Sequence, residues 1–283
     1  MEGASDTNIF RHHFLTAHKK YLLKGLQKLQ SFFIFRKTTS DMIEKMPLEN
    51  FLFIDIETVS QQKEFSLLHA DWQKLWQEKV KYSLPENVTA DEYYPQRAGV
   101  MAEFAKVVCI SMAYFKKQGS EYCLRVKSVY GHDEKKLLQD FINTVTQLEA
   151  SNNKWSFTGH NIKEFDIPFL CRRFVINGLS IPTYLDFQNM KPWETNMVDT
   201  FQYWRFGDYK HYTSLKLLAA AMNVPSPKDD IDGSMVGHVY WNENNLERIA
   251  VYCQKDVITV ANIILRFKGL PLLKEEQIVF VKP

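Results

Sequence analysis

Three short motifs, far apart in the chain, contain side chains that can hold metal ions. Their members are Asp55 and Glu57 in the first motif, Asp166 in the second, and Tyr252 and Asp256 in the third. Carboxylates at the ends of buried strands or on apolar helices cost free energy unless cations accompany them. A pair of divalent ions meets that need and supports hydrolysis of a phosphodiester. Because the ligands are oxygens, Mg²⁺ or Mn²⁺ is expected rather than zinc.

The spacing within two of these motifs places the side chains on a common face. Asp55 and Glu57 are two residues apart, so on a strand both point to the same side while Ile56 packs on the other. Tyr252 and Asp256 are four residues apart and share one face of a helix. Taken alone, each pair also fits a simpler interpretation: a solvated strand end for the acids, and a surface Tyr–Asp pair for the helix.

The second motif, Gly-His-Asn-Ile-Lys-Glu-Phe-Asp, ends at Asp166 and follows a short apolar segment. Asn161 can hydrogen-bond the backbone of the intervening turn. An acid in the first turn of a helix is stabilised by the positive end of the helix dipole. Asp166 can therefore have a purely structural role, and that role is compatible with metal binding.

The sequence around the motifs predicts the elements that position them. An apolar run over 51–56 predicts a central strand that ends at the first acids, and two further strands form a hairpin over 106–130. The remaining pattern alternates between helix and strand: a helix from Asp133 to about Ala150, a strand over 155–158, and helices over 165–177, 214–223 and 245–268. This order predicts an α/β fold with a mixed sheet flanked by helices.

Two other segments stand apart from this pattern. Residues 60–105 contain Trp72, Trp76, Tyr93 and Tyr94, and we interpret them as a mostly helical insertion that covers the rim of the site. Residues 1–45 are a basic N-terminal extension, with seven Lys and Arg against two Asp and Glu in the first 40 positions. The extension fits a targeting or nucleic-acid-binding arm, a helix packed on the body, or a dispensable segment.

Composition narrows the class of protein. The net charge of +2 argues against non-specific coating of duplex DNA, which needs many cationic contacts to phosphates. The four cysteines lack the spacing of a zinc site or disulfide framework, which favours a reducing compartment, and we expect a cytoplasmic protein. No apolar run approaches the ~18–20 residues of a membrane span, and the start lacks a secretion signal, so no membrane partner is expected.

The order of the three motifs resembles the DEDD superfamily of 3′–5′ exonucleases, in the subclass whose third motif is Tyr-x-x-x-Asp. The segments 103–111 and 158–170 are similar to the exonuclease part of family B DNA polymerases. The resemblance covers roughly residues 48–267 and is strongest to stand-alone predicted exonucleases related to that part. It implies an RNase H-like exonuclease domain over 46–283, without a polymerase domain. Nothing in the sequence names a polymerase or repair partner.

The resemblance also implies a mechanism with two metal ions. Asp55 would bridge both ions, Glu57 and Asp256 would complete the ligands of one, and Asp166 would serve the other. Tyr252 would hold the attacking water in line through its hydroxyl group. The expected reaction releases nucleoside 5′-monophosphates from the 3′ end of a single strand, with DNA favoured over RNA.

Several residues are expected to contact the substrate. Asn161 and Phe165 belong to the second motif, Tyr203 and Arg205 lie in an aromatic cluster that offers a surface for base stacking, and Lys228 precedes an acidic loop. Core packing is the expected role of the neighbouring Phe201 and Trp204. Two alternatives remain open: an exoribonuclease with the same site, and a catalytically silent nucleic-acid-binding module.

Overall fold

The protein, described here from a computed structural model, contains a single six-stranded sheet in its described residues, which are 43–150, 154–188, 190–191, 194–225 and 231–281. The strands are β1 (Phe51–Ser60), β2 (Ala105–Gln118), β3 (Glu121–Tyr130), β4 (Ser156–Gly159), β5 (Met197–Asp199) and β6 (Ile278–Phe280). Their order across the sheet is β5-β4-β1-β2-β3-β6. The first three strands form an antiparallel meander, and β4, β5 and β6 each pair parallel to a neighbour.

Eight α-helices are described alongside the sheet. They are α1 (Ala70–Val80), α2 (Ala90–Arg97), α3 (Glu134–Glu149), α4 (Asp166–Ile176), α5 (Thr200–Trp204), α6 (Leu215–Ala221), α7 (Val236–Trp241) and α8 (Leu246–Phe267). Several of these helices have side-chain caps: Asp133, Ser214 and Asn245 accept hydrogen bonds from the first turns of α3, α6 and α8. The mixed sheet flanked by helices agrees with the RNase H-like α/β fold expected from the sequence.

Strand β1 lies at the centre of the sheet because both of its faces are apolar. Leu52, Ile54 and Ile56 face a core formed with α3 and α4. Phe51 and Phe53 face the other way, into a core formed with α8. The strand continues past the expected end at Ile56 to Ser60, because Thr58 and Val59 extend the pairing with β2 after an irregularity in register.

The close contact between β1 and the loop after β4 requires a glycine at position 159. A Cβ atom there would lie 2.1 Å from Cγ2 of Ile162 and 2.8 Å from the carbonyl oxygen of Ile54. Any side chain would displace the loop that leads to Asp166. Gly159 therefore fixes how closely the second motif approaches the first.

Residues 60–105 contain α1 and α2 and pack around a core of their own. Trp76 and Tyr94 are fully buried in that core, and the indole nitrogen of Trp76 donates to the carbonyl of Ala90 at 2.7 Å. The segment contacts the end of β1 through the Thr58 hydroxyl, which donates to the carbonyl of Gly99 at 2.6 Å. The mostly helical insertion expected from the sequence is present.

Residues 1–42 lie outside the described residues, so the expectations for the N-terminal extension concern a part that the structure does not describe. Among the described helices, none is long and apolar enough to cross a membrane.

Candidate active site

The first two acids lie side by side on β1, on the face that meets α8. Their neighbour Ile56 packs on the opposite face, as the two-residue spacing predicts. Glu57 is buried, whereas Asp55 keeps partial exposure. Oxygen atoms of both carboxylates lie within 4.8 Å of one another and of the Cys253 sulfur. The pair can therefore ligate one metal ion.

Asp166 is held directly against this pair. Its Oδ1 accepts a hydrogen bond of 3.2 Å from the backbone nitrogen of Ile56, the residue between the two acids of β1. It also stands in the first turn of α4, so the structural and the metal-binding interpretations apply to the same position. Burial, together with the charges of Asp199 and Asp256, raises the pKa of Asp166 to about 7, although two backbone hydrogen bonds act in the opposite direction.

Helix α8 contributes the third motif. Tyr252 is hydrogen-bonded to Asp256, one turn further along the helix. Burial and then the charges of Asp256, Glu57 and Asp55 raise the pKa of Tyr252 above its ordinary value, so the phenol stays protonated. Cys253, the residue after Tyr252, also contacts the acids of β1. Its thiol donates to Asp55, with the sulfur 3.2 Å from Oδ2 and 3.4 Å from the backbone oxygen.

The electrostatics of this cluster call for cations. Burial raises the pKa of both Asp55 and Glu57 well above the ordinary range, and neighbouring carboxylates raise each further. Asp256 and Asp166 act on Asp55, and Asp55 and Asp256 act on Glu57. Mutually repelling carboxylates in a buried place are a donor set that fits hard divalent cations. The residues present therefore fit the metal ions that the sequence predicts.

Asp199 has a role that the sequence interpretation missed. It is fully buried at the end of β5 and accepts hydrogen bonds from the backbone nitrogens of Asn161, at 3.0 Å, and Lys163, at 3.1 Å. The same carboxylate caps α5. Asp199 thus fixes the loop between β4 and Asp166. The available sequence signal was weak: an acid that directly follows two apolar residues, Met197 and Val198.

Two substrate candidates from the second motif lie in this loop. Asn161 adopts a left-handed backbone (φ 65°), which asparagine tolerates better than most residues. Within the described part of the chain, its buried side-chain oxygen has no hydrogen-bond partner. Phe165 immediately precedes α4, and its ring packs on Phe169 with the ring centres 5.3 Å apart. Their contact with substrate stays a prediction.

The other substrate candidates are placed differently. The Tyr203 ring packs against Phe267, with centres 4.4 Å apart, next to the α8 core. Arg205 pairs with Glu164 at 3.0 Å, and its guanidinium stacks over Phe201 at 4.0 Å. Phe201 is buried, as expected. Lys228 lies outside the described residues. Substrate contact by these residues also stays a prediction.

The chain matches a known protein family over more than half of its length. A family model described as a predicted 3′–5′ exonuclease related to the exonuclease domain of PolB matches residues 100–274. The match contains Asp166, Tyr252 and Asp256 but begins after Asp55 and Glu57, and the fold brings these two acids to the matched part.

Among solved structures, the chain is similar to the family B DNA polymerase from the hyperthermophilic archaeon Pyrobaculum calidifontis. The two share 16% sequence identity with a TM-score of 0.42, over 79% of this chain and 27% of the polymerase chain. This chain therefore corresponds to about a quarter of that polymerase's length. No curated protein matches the sequence. Because the family model covers more than half of the sequence, the chain belongs to the family of predicted 3′–5′ exonucleases related to the exonuclease domain of PolB.

Proposed function

We propose that the protein is a metal-dependent 3′–5′ exonuclease that removes nucleoside 5′-monophosphates from single-stranded DNA. The observation that carries this proposal is the hydrogen bond from Ile56 to Asp166. It joins the second motif to the acids of β1, in a buried cluster whose members raise one another's pKa. Such a cluster is expensive for a purely structural role, because the repulsion remains unless cations are bound.

Asp55, Glu57, Asp166 and Asp256 would hold two divalent ions, Mg²⁺ or Mn²⁺. When bound, such ions activate water and neutralise the charge that develops on the phosphate. The protein's own contribution is positioning. Among its charged neighbours, Asp256 and Asp166 raise the pKa of Asp55 most, which supports the proposal that Asp55 would be a ligand of both ions.

Tyr252 is proposed to orient the attacking water. Its phenol stays protonated because burial and the surrounding carboxylates disfavour the phenolate. The proton is directed to Asp256, which leaves the lone pairs of the phenol oxygen as acceptors for a water molecule. Tyr252 thus fixes the direction of attack without changing its own charge.

A single strand is the proposed substrate, since the terminal phosphodiester must be separated from a partner strand to reach buried acids. The preference for DNA rests on the family's relation to a DNA polymerase domain. Digestion of matched DNA and RNA oligonucleotides tests it. Faster cleavage of RNA would show an exoribonuclease with the same site.

The central experiment uses single strands labelled at either end, incubated with Mg²⁺, with Mn²⁺ or with EDTA. We expect shortening from the 3′ end only when free metal is present, with mononucleotides as products. Asp55→Ala should reduce cleavage to the level without enzyme. Asp140→Asn is the matched control, because Asp140 is an exposed acid of α3 that pairs with Lys136. Cleavage by Asp55→Ala at the parent rate would remove the proposed role of Asp55.

We further propose that the protein works in the cytoplasm. The four cysteines are free thiols, which suits a reducing compartment. Fractionation of cells followed by immunoblotting tests this, and recovery in an oxidising compartment would contradict it.

A further inference from the structure

An exposed aromatic surface follows β5 and α5, in the segment 205–216. Its large side chains are Phe206, Tyr209 and Tyr212, which are 80%, 78% and 66% exposed. We refer to these three residues as the aromatic platform. Exposed apolar surface of this kind is a candidate interaction site.

The aromatic platform is attached to the loop that carries Asp166. The Tyr212 ring packs edge-on against the buried Phe201, with centres 5.0 Å apart. Next to Tyr212, the Thr213 carbonyl contacts Nε2 of His160 at 2.8 Å, and His160 follows β4 directly. The charges of Asp166 and Asp199 also contribute to raising the pKa of Tyr212, after burial. The aromatic platform therefore begins beside the acid cluster, by which we mean Asp55, Glu57, Asp166 and Asp256.

Backbone and side-chain contacts hold the three rings at the surface. Phe206 adopts a left-handed backbone (φ 44°), which is rare for an aromatic residue and is followed by Gly207 in the same region. Its ring lies near Tyr203 and Trp204, at 5.9 and 6.3 Å between centres. Arg205, anchored by Glu164, lies 5.5 Å from the centre of the Tyr209 ring. Each ring thus contacts less exposed neighbours on the protein side, while most of its surface stays exposed to solvent.

The chemistry of this surface suits a single-stranded nucleic acid. Every base has an apolar face that stacks on an aromatic ring, and such stacking does not depend on sequence. The segment 205–216 also contains three Lys and Arg against a single Asp, in a chain whose net charge is only +2. Lys210 and His211 are exposed between Tyr209 and Tyr212, where they can face phosphates.

We propose that the aromatic platform binds the bases of the single strand that lie upstream of the 3′ end, while the terminal phosphodiester enters the acid cluster. This inference rests on the proposed function and adds the path of the strand. It shifts base stacking from Tyr203, whose ring packs on Phe267, to residues further along the chain.

The test measures binding without cleavage. Fluorescence anisotropy of a labelled single-stranded oligonucleotide is recorded in EDTA for the parent and for Phe206→Ala, Tyr209→Ala and Tyr212→Ala. Each variant should bind about tenfold more weakly, which is within the range for loss of one stacked base. Tyr209→Phe should restore binding, because the ring and not the hydroxyl supplies the stacking. Circular dichroism confirms that the variants fold.

Phe280→Ala is the matched control. Phe280 is also an exposed phenylalanine, 58% exposed, but it lies on β6 at the edge of the sheet opposite to β5. Its replacement should leave the affinity for the oligonucleotide unchanged. Parent-like affinity in all three platform variants would overturn the proposal and leave the surface as a contact for a protein.

The two proposals fail in different ways. If the parent releases mononucleotides but the platform variants bind as tightly as the parent does, only the inference about the strand is wrong. If the parent binds the oligonucleotide through the aromatic platform but releases no nucleotides with any metal, the exonuclease proposal is wrong and the binding surface stands.

Discussion

Two regions of the molecule bury carboxylates, and they do so in opposite ways. Glu134, at the start of α3, forms two hydrogen bonds with Arg173 of α4, at 2.8 and 2.5 Å. It also accepts from the backbone of Val107 at 2.8 Å and from the Asn177 amide at 2.9 Å. In the acid cluster around Asp55, the neighbouring charges that raise the pKa of Asp55 most are those of the carboxylates of Asp256 and Asp166.

The difference separates a structural from a functional use of the same chemical group. The Glu134 carboxylate has its cation and its donors within the fold, so its charge is balanced by the protein alone. In the acid cluster, the neighbouring carboxylates raise the pKa of Asp55 and Glu57, a repulsion that bound cations would offset. A buried acid with its own arginine links elements together, whereas buried acids that share a pocket indicate a metal site.

Breaking the buried pair of Glu134 and Arg173 should produce the largest change in stability. Arg173→Met leaves Glu134 buried without its cation, which should lower the free energy of unfolding by about 3–5 kcal/mol. Unfolding in urea, followed by circular dichroism, measures the loss. Lys136→Met is the control, since its ion pair with Asp140 is exposed and should contribute about 0–1 kcal/mol. Equal losses in the two variants would show that the buried pair stabilises the fold no more than the exposed pair does.

Without metal, the acid cluster should make the folded protein less stable as pH rises. The pKa of Asp166 rises from 3.8 to about 7, so the folded state keeps a proton that the unfolded state has released. That stabilisation is complete below the unfolded value and is lost as pH rises through the folded value. In EDTA, we therefore expect a higher melting temperature at about pH 5 than at about pH 8.

Divalent metal should reverse this loss. At about a hundred times its dissociation constant, a bound ion adds ~2.7 kcal/mol to stability. Thermal unfolding at both pH values, with EDTA or Mn²⁺, measures both effects. Asp166→Asn should reduce the dependence on pH, although Asp55 and Glu57, whose pKa values are also raised, should retain part of it, and Asp140→Asn should leave it unchanged. If the metal-free parent melted at a higher temperature at about pH 8 than at about pH 5, the interpretation of the cluster would be wrong.

Tyr252 offers a smaller and more selective change within the same cluster. Tyr252→Phe removes the hydroxyl that we propose orients water, and cleavage should slow by about ten- to a hundredfold, at the lower end of effects for proton-transfer groups. Mn²⁺ affinity, measured by calorimetry, should stay the same because the carboxylates remain. Tyr240→Phe is the control, since its hydroxyl contacts His132 instead. Parent-like rates for Tyr252→Phe would exclude the hydroxyl from the reaction.

The comparison also shows what the sequence can reveal. The common face of the β1 acids, and that of the pair on α8, were predictable because a spacing of two matches a strand and a spacing of four matches a helix. The buried pair of Glu134 and Arg173 was not, because the two residues lie 39 positions apart and neither has a pattern of its own. Strands β5 and β6 were missed because each has only three residues, too few for an alternating pattern.

Tertiary contacts, and not local pattern, decided the roles of the residues around the motifs. Asp199 lies at the end of β5, beside β4, and this position makes it an anchor for the loop that leads to Asp166. The Tyr203 ring packs on Phe267 of α8, and its contact with substrate stays a prediction. These placements depend on the ends of strands meeting across the sheet, which the order of residues along the chain does not specify.

The smallest expected change concerns the thiol that lies within the acid cluster. The Cys253 sulfur lies within 4.8 Å of ligand atoms of Asp55 and Glu57 and donates to Asp55. Cys253→Ser keeps a donor but removes the sulfur, so cleavage with Mg²⁺ should change by no more than about fivefold, which corresponds to the ~1 kcal/mol that a hydrogen bond typically contributes. Cd²⁺, which prefers sulfur, should bind the variant about tenfold more weakly.

Calorimetric titration with Cd²⁺ and Mn²⁺ separates the two roles of this thiol. Cys123→Ser is the matched control, because Cys123 is a buried cysteine of β3 in the described sheet. A selective loss of Cd²⁺ affinity in Cys253→Ser would place the thiol among the atoms that can ligate metal. Unchanged Cd²⁺ affinity would restrict it to orienting Asp55. Either result sharpens the contrast with Glu134. Both oxygens of that carboxylate already accept hydrogen bonds from Arg173 and Asn177, so Glu134 is not expected to bind a metal ion.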